Sequence, residues 1–258
     1  MKHRFISILI LISFILFSCS DSFDYKTSYE AGKYEEIIEN AYDELSQKLN
    51  QDALYYLFMS QFKLGYIDDS LSVARLYLSC YSSDIDQRLR DSLRILLFYS
   101  NDFEKCYAGE KLNNLFSMSE TELIVYFSSL MKTEKYTQAD ALYNQNLSKL
   151  SLKSRCLMLI GGKASTELII SSLNELDATG DPDIDSILIQ AINVLNERGE
   201  GIKLLDFALK HYDSSKDNLA LVIGDIYLRS GDIIKARSYW SIAYTTYPDD
   251  VKQRLKYL

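Results

Sequence analysis

An all-α solenoid of stacked helical hairpins is the fold this sequence predicts, and three observations carry the prediction. The segment from Leu219 to Asp249, LALVIGDIYLRSGDIIKARSYWSIAYTTYPD, has the apolar spacing of two helices joined by one turn. Only two prolines and ten glycines in 258 residues leave few places to interrupt helices. Looser copies of the same segment recur through most of the remaining chain.

In the first helix of that segment, Ala220, Ile223, Gly224 and Tyr227 fall at i, i+3, i+4 and i+7, on one helical face. Gly231 can take the left-handed conformation that ends a helix, and Asp232 can cap the next one. The second helix continues with Ala236, Trp240 and Ala243 on its inner face, and Pro248 ends it. Gly224, Ala236 and Ala243 are small enough for two helix axes to approach to about 8–10 Å, while Tyr227 and Trp240 fill the space between them. A hairpin of this kind cannot bury both faces by itself and needs stacked neighbours.

In this order the residues resemble a tetratricopeptide repeat. The family pattern of Gly, Tyr, Gly, Ala, aromatic, Ala and Pro falls on Gly224, Tyr227, Gly231, Ala236, Trp240, Ala243 and Pro248, with one departure at Ala220, where the first aromatic would stand. The resemblance implies a tetratricopeptide-like superhelix that works as a binding scaffold. It implies no chemistry, because every matched residue packs or turns. The family's groove-lining positions correspond to Asn218, Leu221, Asp225, Leu228 and Arg229, a mixed set suited to an extended peptide or a helix. The lysine-and-asparagine set of the family's carboxylate-clamp members is missing from them.

The N-terminus reads as an address. Met1-Lys2-His3-Arg4 is a positive leader, and the apolar run Phe5 to Phe17 is shorter than the roughly 18–20 residues a membrane-spanning helix needs. It ends in Leu16-Phe17-Ser18-Cys19, which resembles the lipobox of bacterial lipoproteins. Residues 1–18 are thus expected to be a lipoprotein signal peptide, Cys19 the lipidated first residue of the mature chain, and residues 19–28 a tether. Acyl chains contribute roughly 0.8 kcal/mol per buried CH₂, so several of them hold a protein at a membrane permanently.

Degenerate copies fill residues 29–180, and 181–258 hold the better-formed repeats. Ser28 to Leu49, with Gly32 and Tyr34, reads as half a unit or a starting cap, and turns are expected at Gly65, at Asn101-Asp102, at Thr133-Glu134-Lys135 with a glutamate in the glycine position, at Gly161-Gly162 and at Gly199. Val251 to Leu258 reads as the capping helix that covers the last apolar face. Gly65 and Gly231 lie 166 residues apart, slightly under five periods of ~34, so at least one irregular unit is expected. Asp177-Ala178-Thr179-Gly180-Asp181-Pro182-Asp183 is the best candidate for a break between blocks.

No catalytic, metal or cofactor site emerges. His211 has no second histidine or cysteine at ligand spacing and reads as a packed helix-end imidazole. Cys80, Cys106 and Cys156 form no C-x-x-C. They read as small buried residues, with a disulfide between two of them as the alternative in an oxidising compartment. Gly161-Gly162-Lys163 lacks the rest of a phosphate loop. Asp181, Asp183 and Asp185 alternate as in a calcium loop, but Ser186 replaces the glycine and Ile192 the bidentate glutamate. The formal net charge of −8 grows more negative once Lys2 and Arg4 are removed, which disfavours nucleic acid as a partner.

The functional expectation is therefore a non-enzymatic, lipid-anchored scaffold for other cell-envelope proteins. Anchoring in the outer membrane, facing the periplasm, is compatible with Ser20 after the lipidated position. One alternative is a solute- or glycan-binding lipoprotein, suggested by the twenty tyrosines, although Tyr77, Tyr143, Tyr227 and Tyr239 sit at packing positions. Another is a component of an outer-membrane protein assembly machine, which shares the anchor and the architecture.

Overall fold

The computed structural model describes residues 23–162 and 164–256. The leader and residues 19–22 of the expected tether, Cys19 among them, as well as Lys163, Tyr257 and Leu258, lie outside the described residues. The rest of that stretch is no tether, because Asp24 caps a helix that begins at the buried Tyr25. The chain forms two compact units that divide after Ser100. Among the described residues there are fifteen α-helices and no strand, and none of these helices is long and apolar enough to cross a membrane.

The first unit holds α1 (Tyr25–Glu30), α2 (Tyr34–Leu45), α3 (Gln51–Lys63), α4 (Ile67–Tyr81) and α5 (Gln87–Tyr99). Helix α3 starts because the Asn50 side chain accepts from the backbone N–H groups of Asp52 and Ala53. Its charges follow the helix dipole, with Asp52 in the first turn and Lys63 in the last. Ala53, Leu54, Leu57 and Phe58 form its buried face. Around Tyr25, Ile37, Ala41, Ala53 and Leu57 a core forms in which α1, α2 and α3 meet.

The second unit holds α6 (Asp102–Leu115), α7 (Glu120–Lys132), α8 (Tyr136–Asn146), α9 (Leu152–Gly161), α10 (Thr166–Asp177), α11 (Ile184–Glu197), α12 (Leu205–His211), α13 (Asp217–Arg229), α14 (Ile233–Ala243) and α15 (Pro248–Leu255). Successive first helices α7, α9, α11 and α13 pack side by side; the hairpins of α7, α9 and α13 close through their own second helices, and that of α11 closes through the 3₁₀ turn that precedes α12. Between Gly199 and α12 the backbone runs as a 3₁₀ turn, Gly201–Leu204, which makes this the irregular unit.

One turn recurs in both units. The residue after the left-handed position donates its N–H to the carbonyl five residues back, from Lys33 to Ser28, Tyr66 to Gln61, Lys135 to Leu130, Glu200 to Leu195 and Asp232 to Tyr227. This bond satisfies a carbonyl that the helix end would otherwise orphan. Gly32, Gly65, Gly199 and Gly231 supply the positive φ, and Glu134 supplies it at φ 61° where no glycine stands. With the turns at Asn101 and Gly162, the span from Gly65 to Gly231 divides into five units of unequal length, the shortest lying between Glu134 and Gly162. The expected irregularity in phase is thus present. A non-glycine residue in the left-handed region costs roughly 1–2 kcal/mol, partly offset by the lower entropy of the unfolded glutamate chain. Glu134→Gly is therefore expected to stabilise the fold by up to about 1 kcal/mol, read as a higher urea midpoint at unchanged slope.

Three expectations are revised. The Asp177–Asp183 stretch is a turn inside the second unit, and one core continues across it from Leu173 and Leu176 to Ile184 and Ile187. Apolar packing resumes at once after the turn, so no break can form there. Pro248 does not terminate α14, which ends at Ala243; it is the first residue of α15, where its missing N–H costs nothing. The capping helix accordingly begins there and not at Val251. Cys80 is exposed, whereas Cys106 and Cys156 are buried beside Thr133 and Ser172, and all three are free thiols. Burial pushes the Cys156 thiol up from its ordinary pKa.

Candidate functional site

The best-formed hairpin is built around contact between Gly224 and Trp240. A Cβ on Gly224 would lie 2.5 Å from Trp240 Nε1 and 3.2 Å from the Ala236 carbonyl, so only glycine lets the indole lie flat against α13. Trp240 is fully buried. Its Nε1 donates to the Leu221 carbonyl at 3.2 Å and to Asp225 Oδ1 at 3.1 Å.

Asp225 is therefore a hub as well as a lining residue. Arg254 on α15 grips it with two parallel hydrogen bonds, Nε to Oδ1 at 2.7 Å and Nη2 to Oδ2 at 2.8 Å. The planar guanidinium suits this two-point geometry. Hydrogen bonding to Asp225 pushes the Arg254 pKa further up. One carboxylate thus ties α13, α14 and α15 together.

Above this pin lies a cleft of about 480 Å³. Asp225, Leu228 and Arg229 line it from α13, Asn193, Asn196 and Glu197 from α11, and Gln253 and Arg254 from α15. Of the five groove positions implied by the sequence, Asp225, Leu228 and Arg229 face this cleft. Asn218 is exposed at the start of α13, with its Oδ1 near its neighbour's N–H, and Leu221 is half-buried against the core. Neither lines the cleft.

The residues that sequence reasoning missed lie one repeat away. Counted back from Gly231, Asp225, Leu228 and Arg229 are the sixth, third and second residues before the turn. Counted back from Gly199, the same positions are Asn193, Asn196 and Glu197. In the first unit, the sixth and third residues before Gly65 are Met59 and Phe62, and both line an apolar pocket of about 330 Å³ with Ile95, Phe98 and Tyr99. Transferring the positions of the best repeat onto its copies would have found all five residues.

The other candidates resolve into packing. His211 is the last residue of α12, stacked on Phe207 with ring centroids 4.8 Å apart, and its two nitrogens lie 3.3 Å from Asp177 and from Asp185. Asp183 pairs with Lys153, Asp185 with Lys216, and Asp181 accepts the backbone N–H of Asp183. The three aspartates point to different partners, and no group of side chains among the described residues is arranged to hold a metal ion. Tyr77 and Tyr227 are buried, and Tyr77, Tyr227 and Tyr239 pack against other rings. Several tyrosines, Tyr42, Tyr66 and Tyr99 among them, remain exposed.

No model of a protein family matches the sequence. A search of curated proteins likewise finds no match. Among solved structures, the chain is similar to a tetratricopeptide repeat protein from Parabacteroides merdae, with a TM-score of 0.50 and 15% identity, covering 86% of this chain and 97% of that one. The helical hairpins, the recurring turn and this likeness together establish an all-α fold of tetratricopeptide-like stacked hairpins.

Proposed function

We propose that this protein is a lipid-anchored, non-enzymatic scaffold that binds other cell-envelope proteins through the faces of its first helices. One observation carries the reading: the same positions relative to the turn, in three hairpins, line open pockets where the packing rule does not require those residues to be buried. A face of this kind presents several side chains at fixed spacing on rigid helices, which is what recognition of an extended or helical partner needs. The anchor rests on the lipobox-like ending at Cys19, which confines the scaffold to a membrane surface, with the outer membrane and the periplasmic side as the proposed location.

Two experiments test the two parts. Cys19→Ala is expected to move the folded protein from the membrane to the soluble fraction, and a membrane-bound variant would remove the anchor from the account. In-cell crosslinking of the lipidated protein, followed by affinity capture and mass spectrometry, is expected to enrich one stoichiometric envelope protein. If no protein is enriched at any crosslinker length, the scaffold reading fails and capture of a small solute takes its place.

A further inference from the structure

We infer that the cleft between α11, α13 and α15 takes an extended peptide segment carrying an acidic and a basic side chain three residues apart. The inference rests on the scaffold reading and specifies the chemistry of its partner.

Most of the charge in the cleft is already used. Asp225 and Arg254 neutralise each other, and Arg254 also lies 3.8 Å from Asp250. Two charged residues remain. Arg229 and Glu197 are exposed at the cleft and form no ion pair with any other described residue. They occupy the same position before the turn on adjacent first helices, so the cleft presents one cation and one anion a single helix spacing apart.

That spacing matches an extended chain. Neighbouring helix axes lie about 8–10 Å apart, and an extended strand rises about 3.3 Å per residue. A peptide running across α13 and α11 therefore places residues i and i+3 over Arg229 and Glu197, an acidic residue at the first and a basic one at the second. The other polar groups suit its main chain. Asn193 and Gln253 are exposed amides, able both to donate and to accept, as a peptide group does. Asn196 also lines the cleft, but it is only 5% exposed, and its Oδ1 is buried against Gly201 without a hydrogen-bond partner. Its amide keeps that position because Gly201 leaves room: a Cβ at Gly201 would overlap the Asn196 oxygen. The volume of about 480 Å³ is in the range of sites that enclose a short ligand segment. A long peptide would continue beyond it.

The test is fluorescence anisotropy of the full chain with capped alanine-serine peptides bearing Glu at i and Lys at i+3, compared with Glu/Glu, Lys/Lys and uncharged versions. The mixed-charge peptide is expected to bind best, by about tenfold over the others. Arg229→Glu should transfer the preference to the Lys/Lys peptide, and Glu197→Arg should transfer it to the Glu/Glu peptide. Both substitutions are at exposed positions, and circular dichroism and the melting temperature are expected to stay unchanged. Gly201→Ala should weaken every peptide alike by displacing the Asn196 amide. Equal binding of all four peptides, unchanged preference in both charge variants, or no saturable binding at about millimolar peptide would overturn the inference. If the captured envelope partner persists in Arg229→Glu and Glu197→Arg, the scaffold reading stands and this site is excluded. If the peptides behave as stated but no partner is captured, the site stands without the proposed pathway.

Discussion

Trp240→Ala is expected to lower the stability of the second unit by about 3–5 kcal/mol, the range for removing a fully buried large aromatic. Trp240 is fully buried, and its indole fills the contact that Gly224 opens between α13 and α14. Removing it leaves a cavity and also strips Asp225 and the Leu221 carbonyl of a donor. Trp240→Phe keeps most of the ring and loses the N–H, so about 1–2 kcal/mol is expected from the hydrogen bonds and residual space. Urea unfolding followed by far-UV circular dichroism checks both. An alanine variant within about 1 kcal/mol of the parent would show that the hairpin is not held by this contact.

Asp225→Ala is the second large effect, expected at about 2–3 kcal/mol. Removing one partner of a fully buried ion pair costs roughly 3–5 kcal/mol because the other charge is left uncompensated. Here the side chains of Arg254 and Asp225 retain 26% and 20% of their exposure, so water recovers part of that cost. The substitution removes both hydrogen bonds of Arg254 to Asp225 and one bond of the indole together, leaving Arg254 only its longer contacts with Asp250. Asp225→Asn, which keeps an acceptor for Trp240 but loses the charge, should fall between the parent and the alanine variant. The pair test is a double-mutant cycle of Asp225→Ala with Arg254→Ala. A coupling free energy of at least about 1 kcal/mol is expected, and additivity would mean that α15 is held by apolar contact alone.

Local features of this fold were legible in the sequence because they depend on a few adjacent residues. Gly231 and Glu134 mark left-handed turns whose bonds close within six residues, and the Gly224 to Trp240 contact lies within one hairpin. The pairing of Asp225 with Arg254 was not legible, since it joins residues 29 positions apart and nothing in an apolar pattern marks which carboxylate meets which cation. The cleft was read in part, because only α13 carries the full repeat pattern while α11 contributes through a degenerate copy with amides at the matching positions. The boundary after Ser100 left little trace, since the turn there uses Asn101 as a cap with no glycine or proline. The Asp177–Asp183 stretch carried every sign of a break and is only a tight turn, in which the Asp181 side chain holds the Asp183 N–H.

The most direct test of the central claim is site-specific photo-crosslinking in cells from the lining positions Phe62, Asn193 and Arg229, with Ser72 on α4 and Ser241 on α14 as exposed controls on second helices. The account predicts that the lining positions capture the same envelope protein and that the control positions do not. Equal capture from the controls, or capture from them alone, would contradict a partner-binding face on the first helices.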